Sequence, residues 1–357
     1  MCRKSTIINA SHMKVIVAID SFKGCLTSDE ANEAASQGLR HGLPQAQVVT
    51  VAMSDGGEGW LDACRQESDQ IIAINVADPL LRPTKARYIK RGNTAVIEIA
   101  EACGLNLLKP EERNPLVASS FGVGQIITDA LKRGCISFIV GLGGSGTSDA
   151  GRGMMEALKG TVIPLDVHFT IATDVDNPLY GPNGAANIFG PQKGATPEMI
   201  EILDRHARSF AEEAARKMDA NKAMAPGAGA AGGLGYAFMQ FMNAERRSGI
   251  DLILDMVNFD QKLEDADLII TGEGRADSQT LMGKTPKGIL ERAGKHNIPV
   301  ILIAGQVDNR DALIDAGFTD VICINKKGLP LEEAIKHDVA YNNLWKAVEG
   351  ISKTWHH

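Results

Sequence analysis

The sequence of 357 residues lacks several features that mark particular classes of protein. Its six cysteines form no C-x-x-C pair and no cluster with histidine, which argues against a zinc site and against a disulfide framework. This use of cysteine favours a reducing, cytoplasmic compartment. The longest apolar runs, such as residues 138–142 and 300–304, are too short to cross a bilayer, so no membrane association is expected.

Basic and aromatic residues are also scarce. The chain has 37 basic against 44 acidic side chains, a net charge of -7, and only 5% aromatic residues. Because no stripe of Lys and Arg is interleaved with aromatics, nucleic acid is not expected as a partner. Residues 1–12 lack the apolar core of a secretory signal, and we interpret them as an upstream extension or expression remnant. The remaining composition is globular, and its length suits two domains.

The pattern of apolar runs predicts an α/β fold. A strand over 14–19, a helix from the capping box of Thr27 and Glu30 to Gly42, and a strand over 48–53 form a βαβ unit. The same order returns near the end, with strands at 266–271, 300–304 and 321–325 and a helix at 287–295. These continuous apolar strands are typical of a sheet covered on both faces. We therefore predict one parallel sheet built from both chain ends.

The middle of the chain predicts a second, inserted α/β domain. Residues 84–90 and 94–99 indicate a mixed sheet, and 122–132 and 198–218 indicate helices. Residues 175–194 are rich in Pro, Gly and Asn, which predicts a long ordered loop. The expected boundaries give a first domain of residues 13–70 and 261–357, and an inserted domain of 71–260.

A glycine-rich stretch at 139–153, IVGLGGSGTSDAGRG, follows a predicted strand and precedes a predicted helix. It has neither the Gly-Lys-Ser/Thr of a Walker A loop nor the spacing of G-x-G-x-x-G. Small residues let backbone N–H groups approach an anion, and the start of a helix adds positive potential. Gly143, Gly144, Ser145 and Gly146 are therefore candidates for phosphate or nucleotide binding, with a plain tight turn as the alternative.

Polar motifs follow the first two predicted strands, where ligands of open α/β sheets bind. In DSFKG at 20–24, Lys23 could neutralise a transferred phosphate as a compact charge. In DGGEG at 55–59, Asp55 and Glu58 could hold Mg²⁺ directly or through water. A surface lysine and a capped turn are the respective alternatives.

Two further motifs follow later strands. In TGEGRADS at 271–278, Arg275 could grip a carboxylate with two hydrogen bonds, unless the charges form only a structural ion-pair network. Asp176 follows a predicted strand at 169–173, and a carboxylate there could accept the proton of a substrate hydroxyl. Asx turns before Pro178 are the alternative explanation.

Taken together, eight motifs resemble those of the bacterial glycerate kinases. The motifs are DSFKG, DGGEG, VIEIAEACGL, GLGGSGTSDAG, DVDNPLYGPNGAA, FGPQKGA, PGAGAAGGLG and TGEGRADSQT. The resemblance implies a kinase that transfers the γ-phosphoryl group of ATP, with Mg²⁺, to D-glycerate and gives 2-phosphoglycerate. It also implies a Rossmann-like domain from both chain ends plus an inserted α/β domain. We expect a monomer or a homodimer.

The resemblance also suggests a role for each candidate residue. The expected catalytic residues are Lys23, Asp176 and Arg275. The expected phosphate-binding residues are Gly143, Gly144, Ser145 and Gly146. The expected substrate-binding residues are Ser21, Glu273, Arg275 and Asp277, and the expected metal ligands are Asp55, Glu58 and Asp149.

The chain departs from the family pattern at several places. Ala150 stands where a glycine is usual, Arg152 where a small residue is common, and Cys25 where serine is usual. Family members carry a few dozen more residues before the strand at 169–173, where residues 159–161 form a short junction here. A non-catalytic member that binds nucleotide or hydroxy acid is therefore an alternative. A nicotinamide oxidoreductase is disfavoured, because DSFKG lacks the dinucleotide glycine pattern.

Overall fold

The structure, a computed structural model, describes residues 13–54 and 59–354. It divides into two compact units, one of Met1–Asp55 with Ile250–His357 and one of Gly56–Gly249. Unit 1 is thus formed by both chain ends, and unit 2 is inserted between them. Both boundaries come earlier in the chain than the expected ones at residues 70 and 260.

The strands of the two units are numbered in chain order. They are β1 (Lys14–Ile19), β2 (Gln47–Thr50), β3 (Gln70–Ala77), β4 (Pro83–Arg91), β5 (Thr94–Glu98), β6 (Ser137–Gly141), β7 (His168–Ala172), β8 (Glu245–Arg247), β9 (Leu268–Ala276), β10 (Val300–Val307) and β11 (Asp320–Cys323).

The α-helices are numbered in the same way. They are α1 (Ser28–Gly42), α2 (Trp60–Ala63), α3 (Ala100–Cys103), α4 (Phe121–Lys132), α5 (Arg152–Ala157), α6 (Ala185–Phe189), α7 (Pro197–Met218), α8 (Ala230–Phe241), α9 (Gly249–Met256), α10 (Phe259–Lys262), α11 (Thr285–His296), α12 (Arg310–Asp315), α13 (Leu331–Ala334) and α14 (His337–Thr354).

Unit 1 contains a five-stranded sheet in the order β11-β10-β9-β1-β2, with parallel pairing throughout. The prediction of one parallel sheet from both chain ends is confirmed. Residues Val15–Ile19 of β1 are buried, as a sheet covered on both faces requires. Helix α1 begins at Thr27 with the predicted capping box, in which Thr27 and Glu30 bond each other's backbone N–H groups.

Strand β9 is longer than the sequence predicts. The expected strand ends at Thr271, whereas β9 continues to Ala276 and includes Glu273 and Arg275. The physical reason is its neighbour, because β10 pairs with β9 as far as Val307 opposite Ala276. The charged motif is therefore the end of a paired strand, and its side chains have fixed positions along the sheet.

Unit 2 contains a six-stranded mixed sheet in the order β3-β4-β5-β6-β7-β8. Strands β3, β4 and β5 pair antiparallel, whereas β5 to β8 pair parallel. Its core includes stacked Phe138 and Phe169, whose ring centroids lie 4.6 Å apart. This confirms the mixed sheet and, with the parallel sheet of unit 1, the predicted α/β fold class.

One prediction in unit 2 is wrong. Residues 175–194, expected to be a long loop, contain α6 and a 3₁₀ helix, Pro191–Lys193. Proline at the first position suits a 3₁₀ helix, because its missing N–H would have no partner there. Among the described residues, no helix combines the length and the apolarity that crossing a membrane requires.

Candidate active site

Unit 1 has a cavity of about 790 Å³ at the carboxyl ends of its strands. This is the position at which open α/β sheets bind ligands, and the volume is in the range of ligand pockets. Side chains from two predicted motifs line it, Ser21 and Lys23 from the first and Glu273 and Arg275 from the second, together with Cys25. Lys284, Lys326 and Lys327 add positive charge, and one wall is apolar. The structure thus brings these candidate residues of unit 1 together.

Two buried carboxylates stand side by side at this sheet edge. Asp20 follows β1 and Glu273 lies in β9, and the two strands pair one residue earlier, at Ile19 and Gly272. The hydroxyl of Thr285 donates to Asp20 at 2.7 Å. Glu273 accepts hydrogen bonds from Thr280 at 2.6 Å and from Lys284 at 3.0 Å. Burial nevertheless raises the pKa of Glu273 above its usual value, and the two donors oppose this shift.

Ser21 and Lys23 lie in the tight turn that follows β1. The N–H of Ser21 donates to the Asp20 carboxylate at 2.6 Å. Gly24, at φ +74°, takes a left-handed conformation that suits glycine and lets the chain return to Leu26, which bridges Phe22. The turn holds Lys23 at the cavity wall.

Arg275 and Asp277 are engaged within the protein. Arg275, 61% exposed, donates through Nε to Asp308 at 2.9 Å, and its Nη2 lies 2.8 Å from the same oxygen. Asp277 accepts from the N–H of Gln279 at 2.8 Å and so caps a short 3₁₀ helix, Ser278–Leu281. Asp308 therefore already occupies the edge of the Arg275 guanidinium that Nε and Nη2 form. The Nη1 end of Arg275 remains for a ligand.

Unit 2 presents the glycine-rich loop directly after β6. Ser145 of the loop forms an isolated β-bridge with Gly104, and the N–H of Gly146 donates to the carbonyl of Cys103 at 2.8 Å. Within the described part of the chain, the N–H groups of Gly143, Gly144 and Ser145 have no acceptor. Successive backbone N–H groups without partners form a concave site for an anion. All four predicted phosphate-binding residues lie in this loop.

The second glycine-rich stretch, residues 226–235, supports the first one by close packing. At the start of α8, Gly232 and Gly233 have φ values of +66° and +96°. A Cβ at Gly232 would overlap the carbonyl oxygen of Thr147, and one at Gly233 would lie 2.6 Å from the Cα of Ala150. These glycines therefore permit a backbone approach that no other residue allows.

Asp149 holds the loop to two helices. One carboxylate oxygen accepts from the N–H and hydroxyl of Ser120, both at 2.8 Å, and from the N–H of Gly153 at 3.0 Å. The other accepts from the N–H of Gly151 at 3.0 Å. The carboxylate of Asp149 thus accepts hydrogen bonds at the starts of both α4 and α5. This arrangement favours a capping role for Asp149 over the expected role of metal ligand.

Lys193 lies beneath the same loop and was not among the predicted site residues. Its ammonium group donates to the Ser145 hydroxyl at 2.8 Å and to the Thr147 carbonyl at 2.7 Å. Burial lowers its pKa to about 8, although Cys103 and Asp149 oppose that shift. In the sequence, Lys193 stands between two glycines in FGPQKGA, but this pattern does not indicate that its side chain is buried.

Glu98 is a second residue that the sequence did not single out. It ends β5 and accepts from the N–H of Leu61 at 2.9 Å, which fixes the start of α2. Burial raises its pKa to about 7, while the backbone bond from Leu61 opposes the shift and the nearby Glu101 adds to it. A carboxyl group with this pKa changes its charge near neutral pH.

The remaining predicted residues fall into two groups. Asp176 is 78% exposed, and its carboxylate lies 2.7 Å from Nη2 of Arg246 in β8. Asp55 and Glu58 lie outside the described residues. In residues 13–54 and 59–354, no three His, Cys, Asp or Glu side chains are grouped closely enough to hold a metal ion.

The departures from the family pattern have local explanations. Arg152 stacks on the ring of Phe210 at 4.7 Å and donates to the carbonyl of His206, so it links α5 to α7. The short junction between α5 and β7 leaves Val162 and Leu165 exposed. Ala150 adopts a left-handed conformation, at φ +56°, where glycine is usual.

A parallel-sheet unit with cationic side chains around a cavity at its strand ends, and an inserted unit with unpaired N–H groups in a glycine-rich loop, are features of α/β proteins that bind small anionic ligands. Phosphotransferases are one such class. A sequence model of the glycerate kinase family matches residues 15–166 and 162–356. The chain belongs to the glycerate kinase family.

Individual relatives agree with this assignment. The chain is 39% identical to the glycerate kinase of Bacillus subtilis, over 92% of this chain and 94% of the relative. It is 37% identical to the glycerate 2-kinase of Escherichia coli, over 96% and 98%. The solved structure of a candidate glycerate kinase 2 from Salmonella typhimurium LT2 matches with a TM-score of 0.80 at 36% identity, over 96% and 98%.

The comparisons also bear on the short junction. The alignment with the E. coli relative spans 376 positions, more than the 357 residues of this chain, so the relative has residues where this chain has none. The two matches to the family model overlap at residues 162–166, between α5 and β7. This overlap is consistent with additional family residues at the junction.

Proposed function

We propose that this protein transfers the γ-phosphoryl group of ATP to the 2-hydroxyl of D-glycerate and releases 2-phosphoglycerate and ADP. Membership of the glycerate kinase family supports the reaction. The observation that carries the phosphate-binding part is the glycine-rich loop, with unpaired N–H groups at Gly143, Gly144 and Ser145 and a lysine beneath it.

The chemistry needs a site that stabilises negative charge. The hydroxyl oxygen of glycerate attacks the γ-phosphorus, and the bond from phosphorus to the bridging oxygen of ADP breaks as the new bond forms. The negative charge is spread over the three equatorial oxygens, so positioning and fixed positive groups supply most of the catalysis. In this proposal the unpaired N–H groups of Gly143, Gly144 and Ser145 face the phosphates of ATP, while the N–H of Gly146 stays bonded to the carbonyl of Cys103.

The cavity of unit 1 supplies the acceptor side of the proposal. Lys23 provides a positive charge for the transferred phosphoryl group, and Ser21 and Glu273 can bond the hydroxyl groups of glycerate. Arg275 binds the glycerate carboxylate through its Nη1 end while Asp308 holds the other edge. Asp277, which does not line the cavity, contributes by capping the segment that carries Thr280 and Lys284.

The proton of the attacking hydroxyl requires a base. We assign this role to Asp176, because its carboxylate is exposed to a ligand and the contact with Arg246 fixes its position. The Mg²⁺ of the proposal enters with ATP, because this ion commonly binds through substrate phosphates, water and one or two carboxylates. The described residues contain no group of three or more His, Cys, Asp or Glu side chains that could hold the ion, and no step above depends on one.

One experiment separates the proposed kinase from the alternative of a non-catalytic member that binds nucleotide or hydroxy acid, which the short junction favours. Purified protein is incubated with MgATP and D-glycerate, ADP release is followed, and the product is identified by phosphorus NMR. We expect a 2-phosphoglycerate signal that L-glycerate does not give. Tight binding of ADP by folded protein without turnover would establish the alternative.

The role of Arg275 has its own test. Arg275→Ala should raise the KM for glycerate about tenfold or more, since a charge-assisted hydrogen bond to a carboxylate contributes about 1.5–3 kcal/mol. Arg310→Ala is the matched control, because Arg310 pairs with Asp320 on the surface of unit 1 and does not line the cavity. An unchanged KM in Arg275→Ala would remove Arg275 from the site. A cytoplasmic location and a monomer or homodimer stay predictions.

A further inference from the structure

Lys193 is a charged side chain in a position that stability alone does not explain. It is 2% exposed, yet no carboxylate pairs with its ammonium group among the described residues. Its two acceptors are neutral oxygens, the hydroxyl of Ser145 and the carbonyl of Thr147. Removing an ammonium group from water costs several kcal/mol, and neutral acceptors return only part of it. An apolar residue would fill this position at lower cost.

The surrounding backbone fixes the direction of this lysine. Lys193 ends the 3₁₀ helix Pro191–Lys193, and Gly194 follows at φ +88°. A Cβ at Gly194 would lie 2.6 Å from the carbonyl oxygen of Arg113, so the turn accepts only glycine. The chain thus directs Lys193 from a rigid turn onto residues 48 and 46 positions earlier. Because these contacts join positions far apart in the sequence, they restrain the glycine-rich loop rather than the turn that carries Lys193.

The two acceptors belong to the segment that carries the unpaired N–H groups. Ser145 and Thr147 lie one residue on either side of Gly146, whose N–H is bonded to Cys103. When Lys193 bonds both, it holds the chain on each side of Gly146, and the N–H groups of Gly143 to Ser145 keep their common direction. Its positive charge also acts on the loop from below through a medium of low polarity.

We propose that Lys193 is a positioning residue that holds the glycine-rich loop 143–148 in its anion-binding conformation and adds positive potential to it. The identity of the anion as a phosphate group of ATP rests on the proposed function. The role in holding the loop does not, because it follows from the contacts of Lys193 in the protein without ligand.

The charge state of Lys193 gives a measurable consequence. Its lowered pKa, about 8, means that the group loses its proton as the pH rises through that value. The titratable groups that face it are the Cys103 thiol and the Asp149 carboxylate, and burial raises the pKa of the thiol to about 12. The thiol therefore remains neutral while Lys193 titrates. Both loop rigidity and anion affinity should fall between pH 7 and pH 9.5.

The test uses the full chain and two readouts. Lys193→Met keeps the length of the side chain and removes its charge, and Lys217→Met is the control, because Lys217 is exposed and pairs only with Glu213 on α7. Without ligand, amide hydrogen exchange at Gly146, whose N–H is bonded to the carbonyl of Cys103, should become at least tenfold faster in Lys193→Met and stay unchanged in Lys217→Met. The affinity for ADP should fall tenfold or more, whereas the KM for glycerate should change less than threefold.

Two further measurements serve if Lys193→Met does not fold. Ser145→Ala removes one acceptor and should increase exchange in the loop several-fold. In the unaltered protein, protection of the Gly146 amide, corrected for the intrinsic rate, should fall tenfold between pH 7 and pH 9.5, while α7 stays protected. Unchanged exchange in Ser145→Ala and at pH 9.5 would overturn the inference. Loss of the proposed function would appear separately, as absence of turnover in a protein whose loop still responds to Lys193.

Discussion

The contact between the two glycine-rich stretches gives the sharpest prediction on stability. Gly232 has φ +66°, and a Cβ built on it would overlap the carbonyl oxygen of Thr147, which is also an acceptor of Lys193. Gly232→Ala therefore forces a change in the loop that the proposed function uses for phosphate. The carbonyl cannot move away freely, because Ala150 donates its N–H to the carbonyl of Gly232 in the same contact.

The expected magnitude has two parts. An L-residue in a left-handed conformation costs about 1–2 kcal/mol. Forcing an extra methyl group into a packed interior costs about 1–3 kcal/mol. The free energy of unfolding should therefore fall by about 2–5 kcal/mol in Gly232→Ala. Gly134→Ala separates the two parts, because Gly134 also has a positive φ, +81°, but no atom lies near its added Cβ. That control should lose only about 1–2 kcal/mol.

The assay is urea unfolding followed by circular dichroism, together with the affinity for ADP. Gly232→Ala should lose stability and ADP affinity together, since the clash displaces Thr147, whereas Gly134→Ala should keep its affinity. Equal losses of stability in the two variants would mean that only the backbone conformation matters at Gly232. The close packing of residues 226–235 on the loop would then have no energetic role, and the argument from the overlap would be refuted.

Two other predictions concern carboxylates of unit 2. Glu98 has its pKa raised to about 7 in the folded protein, so its carboxyl group destabilises the fold as the pH rises from about 4.5 to 7. Glu98→Gln should therefore match the parent stability near pH 4.5 and exceed it by roughly 3 kcal/mol at pH 8, measured by urea unfolding. A difference independent of pH would contradict this assignment. Asp149→Asn should lose about 2–3 kcal/mol, because an amide cannot accept all the bonds from Ser120, Gly151 and Gly153. Unchanged stability together with a higher Mg²⁺ concentration needed for activity would instead support the metal role.

Local patterns predicted most of the architecture. The strand over 14–19 and the helix ended by Gly42 agree with the structure because each is specified by short-range signals, an apolar run in one case and a capping box in the other. The prediction failed where a neighbouring strand determines the local structure. Strand β9 extends through polar residues because β10 continues beside it, and no property of residues 272–276 alone indicates a strand.

The candidate site was predicted only in part, for a related reason. Loop residues such as Ser145 and strand-end residues such as Lys23 were found because their motifs are local. Lys193 was not, because its role arises from a contact with Thr147 that spans 46 positions. Glu98 was missed similarly, since its environment depends on Leu61 and on burial in the sheet. Sequence spacing cannot report which distant group a side chain reaches.

The same contacts bear on whether the short junction after α5 disables the protein. The glycine-rich loop is held by Asp149 to the start of α4, by Gly232 from α8 and by Lys193 from its own turn. None of these three supports lies in residues 159–167, the short junction between α5 and β7. Val162 and Leu165 are exposed in that segment, so it contributes little to the core. The glycine-rich loop is therefore supported independently of the short junction, and this favours the proposed kinase over the non-catalytic alternative.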